Sequence, residues 1–262
     1  MRPSARSVSC QVTERDVRLL VLTQIRPDSH CLGNAISSTA KTRDIVNEQA
    51  TNNRNAAKSL IAVALVLSIG YAILRYHIAG SVPWKDFPFF ILNKGLCLAA
   101  YILLTMNFSL GPLSNLGVSV SKSWLNARKA LGMTGFLLVM LHALMSFLLF
   151  SPAVYGKFFT DNGTLTLLAG LSMLGGVTAF VVLWGYNMSF QTFLREDKAF
   201  IQFITSRKFM LFALLLGAAH LFFMGYEGWL KPDDWQAGLP PISLVAFAFF
   251  AVGYVINLFG RE

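Results

Sequence analysis

Six apolar runs set the rhythm of this chain, at residues 59–79, 89–108, 130–150, 164–186, 209–226 and 242–259. Each is close to the roughly 20 residues that cross a hydrocarbon core of about 30 Å as a helix. The segments between them are short and rich in turn formers, as in Gly111-Pro112, Asp161-Asn162-Gly163 and Lys231-Pro232-Asp233-Asp234. The pattern predicts an all-α polytopic membrane protein, a six-helix transmembrane bundle over residues 59–259.

Residues 1–58 have a different texture: polar, rich in Ser, Thr, Asn and Arg, with no sustained apolar period outside residues 17–25. They are expected to form no packed domain. Three readings stand for them: a disordered cytoplasmic tail, an organellar transit peptide, or a translation start set too far upstream, with the first 45 residues dispensable. Glu14, Asp16 and Asp28 count against a transit peptide.

Composition agrees with the pattern. The 262 residues are 55% hydrophobic and 13% charged, with a mean hydropathy of +0.55. The net charge of +9 lies mostly at the ends of the runs and in the amino-terminal region, so it points to lipid headgroups and not to nucleic acid. Eleven Lys and Arg flank the runs on the side of the amino terminus (Arg43, Arg54, Lys58, Lys122, Arg128, Lys129, Arg195, Lys198, Arg207, Lys208, Arg261), against five on the other (Arg75, Lys85, Lys94, Lys157, Lys231). The positive-inside rule then puts both termini in the cytoplasm.

Little sequence chemistry remains outside the runs. Cys10, Cys31 and Cys97 have no pairing pattern, and there is no Cys-x-x-Cys-His for covalent haem attachment. Phosphate-binding glycine loops are also missing, so the chain is expected to carry no nucleotide or flavin domain of its own.

Inside the runs the ionisable groups are few. None contains Asp or Glu, which argues against a carboxylate-based proton or cation transporter. His142 lies fourteen residues after Arg128 in the third run, and His220 thirteen after Arg207 in the fifth. At about 1.5 Å per residue, both are about 20 Å from the cytoplasmic end of parallel helices. Two neutral imidazoles at one level are suited to ligate a haem iron from both sides, in an apolar slot with positive groups for the propionates. Gly135, Gly217, Gly170, Gly175 and Gly176 would let a flat ring approach the backbone. The alternative is that the histidines hydrogen-bond between helices and the glycines serve close packing.

Residues 127–142 resemble the third helix of the ferric reductase-like transmembrane domain family: a basic residue (Arg128), a Leu131-Gly132 pair, and an apolar run ending in Leu141-His142. The Ser109-Leu110-Gly111-Pro112-Leu113 turn and the fourth run ending at Ser189 are similar to that family's as well. The resemblance is nearest to the MsrQ/YedZ-type haem-binding membrane subunits, which pass electrons to a periplasmic methionine sulfoxide reductase. It implies one haem b per chain on His142 and His220. It also implies a donor that is membrane quinol or a cytoplasmic flavin reductase, an outer-face redox partner, quinone or FMN at a separate site, and residence in a bacterial inner membrane. Phe203 and Arg207 depart from the family's Trp and His, and with Arg128 they leave only the outer haem position.

Secondary candidates are His77, as a third ligand, quinone contact or interfacial anchor, and Lys94, as a propionate partner or a snorkelling cation. Arg128, Lys129, Arg207 and Lys208 read as headgroup anchors or a docking surface for a flavin reductase. Trp124, Trp184, Tyr186, Trp229 and Trp235 read as interface aromatics, and His30 has no context. The competing functions are a haem-free carrier or structural subunit, and a ferric-chelate reductase.

Overall fold

The computed structural model describes residues 29–189, 191 and 196–260, with side chains from residue 47 onward. Residues 1–28, which hold the predicted apolar period at 17–25, lie outside the described residues. The chain divides into two units, Met1–Asn52 and Asn53–Glu262. In the first, the described part is helical from Ser29 onward. Helix α1 (Ser29–Ala72) thus begins well before the apolar run, and no proline stands between Pro27 and Pro83 to stop it.

The second unit is an all-α bundle: α2 (Leu92–Asn115), α3 (Lys122–Leu149), α4 (Leu167–Met188), a short α5 (Lys198–Ile204), α6 (Arg207–Trp229) and α7 (Ile242–Phe259). Six helical stretches among the described residues are long and apolar enough to cross a membrane, which makes the chain an integral membrane protein. Their outward faces carry exposed Val66, Leu148, Leu174 and Val252, apolar surface suited to lipid contact.

Local chemistry explains where the helices start and stop. Thr166 and Ser206 cap α4 and α6, their hydroxyls accepting from the N–H of Ala169 (3.2 Å) and Phe209 (3.3 Å). Asp197 does the same for α5, which the hydrophobic pattern did not predict. The turn expected at Gly111-Pro112 lies inside α2, which runs on to Asn115. There Gly117, at φ 85°, closes a Schellman motif, with Gly117 N–H bonded to Ser114 and Val118 N–H to Leu113. The first connection is tighter than a simple loop: a π-helical turn at Ile73–Ile78 and another at Phe87–Ile91 bracket it.

Packing arranges five helices in a ring. α2 packs on α3 and α7, α7 on α6, and α6 on α4, while the α3–α4 contact that completes the ring is much lighter. The part of α1 that belongs to this unit lies outside the ring, its Ala57 and Ala64 sharing a buried cluster with Ala100 and Leu103 of α2. Close approach at these seams depends on glycine. A Cβ on Gly135 would sit 2.9 Å from Leu104 Cγ, one on Gly95 2.9 Å from Ile69 Cα, and one on Gly217 would collide with the Phe250 ring. At Gly135 and Gly217 the space is filled by neighbouring side chains, so these two serve helix packing, the second of the two readings drawn from sequence, and Gly95 does the same.

Candidate functional site

Where α3 and α4 touch only lightly, the bundle holds a mainly apolar cavity of about 450 Å³. Its size falls within the range of small-molecule sites, about 300–1,000 Å³. Tyr101 and Leu104 of α2, Val139 of α3, Phe180 of α4, Gly217 of α6 and Phe250 of α7 line it, and so do His142 and His220. The depth match read from the sequence brings both imidazoles to one cavity.

Each ring is oriented through one nitrogen. His220 Nδ1 lies 2.7 Å from the backbone carbonyl of Ser172, which can only accept, so Nδ1 carries the proton. The Ser172 hydroxyl in turn donates to the carbonyl of His220 at 3.0 Å. His142 Nδ1 donates to Asn93 Oδ1 at 2.7 Å, and the Asn93 amide donates to Ser146 Oγ at 3.0 Å. In both residues the Nε2 lone pair is left without a protein partner among the described residues. A carbonyl fixing Nδ1–H and an open Nε2 is the arrangement found behind metal-ligating histidines.

Gly175 and Gly176 hold the second ring in place: a Cβ on Gly176 would stand 2.7 Å from His220 Nδ1. Lys94, beside Asn93, also lines the cavity and holds its ammonium over the rings of Phe90 (5.5 Å) and Tyr155 (5.1 Å). Tyr155 belongs to an aromatic cluster with Phe150 and Phe158 in the connection that follows α3. In that connection Lys157 donates to the Met224 carbonyl at 3.0 Å. Burial of its ammonium end and the nearby charge of Lys94 push it below the ordinary lysine range, with Glu227 opposing.

His77 is not brought to this site. Its Nδ1 meets the Val82 carbonyl at 2.8 Å and its ring packs on Trp84 at 4.8 Å, in the connection after α1. Arg128 and Arg207 are tied to helix backbone: Arg128 Nε donates to Asn107 O (2.9 Å), and Arg207 donates to Asn257 O (2.9 Å) and Leu258 O at the end of α7. Asn107, Tyr186 and Phe108 fill the space beside Arg128. Sequence reasoning missed Asn93, Ser172 and Ser146; an Asn at membrane depth next to Lys94 was the available signal.

Among the described residues there is no group of three or more His, Cys, Asp or Glu able to hold a bare metal ion. Two nitrogens are too few for a tetrahedral zinc site and are the number a porphyrin iron requires, since the macrocycle supplies the other four. With the apolar lining and the adjoining cation, the residues present fit a haem. No protein-family model and no curated protein matches the chain.

Proposed function

We propose that this chain is the membrane subunit of an electron relay, holding one haem b between His142 and His220 and belonging with the ferric reductase-like transmembrane domains it resembles. The observation that carries the reading is the pair of imidazoles, each hydrogen-bonded through Nδ1 and both lining a single apolar cavity. When bound, the haem supplies reversible one-electron chemistry. The protein supplies two axial nitrogens, a dry slot, and a cation, Lys94, for a propionate. Each electron comes from membrane quinol or a reduced cytoplasmic flavin protein and leaves to an outer-face partner, so the chain relays charge without chemistry of its own on a substrate. The charge bias of the flanks supports cytoplasmic termini, and the family resemblance points to a bacterial inner membrane. His77 and the inner arginines take no part in haem ligation in this reading.

A dithionite-reduced minus oxidised spectrum of the purified protein, with pyridine haemochrome quantification, tests it. A b-type signal at about one haem per chain, lost in His142→Ala and in His220→Ala, is the expected result. A colourless folded protein that stays colourless when supplied with haem overturns it in favour of a haem-free carrier or structural subunit.

A further inference from the structure

Beside the histidine cavity lies a second chamber of about 250 Å³ with different chemistry. The two share Lys94, Cys97, His142, Tyr155, Phe158 and Met224 as walls. The other walls of the smaller one mix apolar residues such as Leu221 and Trp235 with polar and charged ones: Arg75 in the π-helical turn after α1, Lys157 from the connection after α3, and Ser243 in the first turn of α7.

Arg75 is 6% exposed. It donates to the Leu239 carbonyl through Nη1, and its buried Nε has no hydrogen-bond partner. Among the described residues no carboxylate lies within ion-pair distance of Arg75, Lys94 or Lys157. The one acid in the chamber wall is Asp234, exposed at its rim. At the start of α7, Leu244 and Val245 donate to the Pro241 carbonyl, while the N–H groups of Ile242 and Ser243 have no acceptor among the described residues and no side chain caps them. A buried guanidinium whose Nε is unpartnered, two ammonium groups and the free N–H groups at the start of α7 border one space, and the acids nearest it, Asp234 at the rim and Glu227 near Lys157, balance only part of that charge.

We propose that Arg75, Lys94 and Lys157, with the first turn of α7, form a carboxylate-binding chamber at the edge of the histidine cavity. At 250 Å³ it takes a small anion or the anionic end of a larger molecule. The carboxylates can come from the propionates of a porphyrin seated next door, or from a free polycarboxylate of the kind that chelates ferric iron. The chamber stands on its own charges and does not depend on what fills the larger cavity.

The test is isothermal titration of citrate and of inorganic phosphate into the full chain in detergent, haem-free and after supply of haem or haem dimethyl ester. The haem-free protein should bind citrate saturably at about one site. Arg75→Gln and Lys94→Met should each weaken binding by about tenfold or more, and Arg75→Lys should recover part of it. Arg128→Gln, which removes a cation already tied to Asn107, should leave binding unchanged. Should Arg75→Gln fail to fold, Lys157→Met at the exposed rim carries the same expectation with a smaller loss. Citrate binding that survives haem loading assigns the site to a free anion. Binding abolished by haem but kept with the dimethyl ester assigns it to the propionates. No saturable binding of either anion to the haem-free protein, or binding indifferent to Arg75→Gln, Lys94→Met and Lys157→Met, overturns the chamber. Failure to load haem bears only on the relay reading, because the haem-free titration decides the chamber by itself.

Discussion

The two ends of this bundle use their polar residues in opposite ways. At the end that holds Arg128 and Arg207, each guanidinium is committed to backbone carbonyls and aromatic and amide side chains fill the space between the helices. At the end that holds His142 and His220, the polar atoms are oriented by neighbours yet keep one face open to a cavity. Polar residues that only stabilise a membrane helix use up their hydrogen-bonding capacity inside the protein; those reserved for a ligand leave a defined atom free. That contrast turns two histidines in an apolar sequence into a candidate site and makes two arginines ties between helices.

The comparison is broken most directly by exchanging the two kinds of change. His142→Ala or His220→Ala should abolish haem retention, read from the reduced spectrum, with little change in the apparent melting temperature of the haem-free protein. Arg128→Ala or Arg207→Ala should do the reverse. Losing a charged donor to buried carbonyls costs about 1.5–3 kcal/mol of stability, while bound haem per folded chain stays the same. Loss of haem in the arginine variants with full stability would erase the distinction between the ends.

A smaller effect is expected one layer behind the ligands. Asn93→Ala removes the carbonyl that fixes the His142 tautomer, and haem affinity should fall about 10–100-fold, as for other partners of ligating histidines. Gly176→Ala should act on His220 in the same sense, because the added methyl meets its ring. Gly135→Ala, whose methyl meets Leu104 in the α2–α3 seam, should instead act mainly on stability, costing about 1–3 kcal/mol as overpacking, with a smaller loss of haem than Gly176→Ala. The mildest change is Ser146→Ala. It removes a 3.0 Å bond to Asn93 and should cost about 0.5–1.5 kcal/mol, with a haem signal of normal shape; a Ser146→Ala protein without haem would place that hydroxyl among the essential groups.

The spans were legible because hydropathy alone selects them, and the histidine pair because imidazole at membrane depth has few reasons to be there. Three features were not. α2 continues through Pro112 because Gly117 five residues later provides the helix stop. The partners of the histidines come from residues whose types are common in any helix: Ser172 acts through its backbone carbonyl, which no side-chain pattern can signal. Arg75, read as one of five outer flanking cations, is buried at the first connection, where two π-helical turns bracket the chain reversal and periodicity gives no warning.

The walls of the histidine cavity are drawn from residues as early as Lys94 and as late as Phe250. All five helices of the ring contribute to it, so during biosynthesis its walls are complete only when α7 has joined the ring. Cofactor loading is therefore a post-insertional event, and a ribosome-released chain ending after α6 should reach the membrane, fold its α2–α3 seam, and emerge without a complete pocket to load.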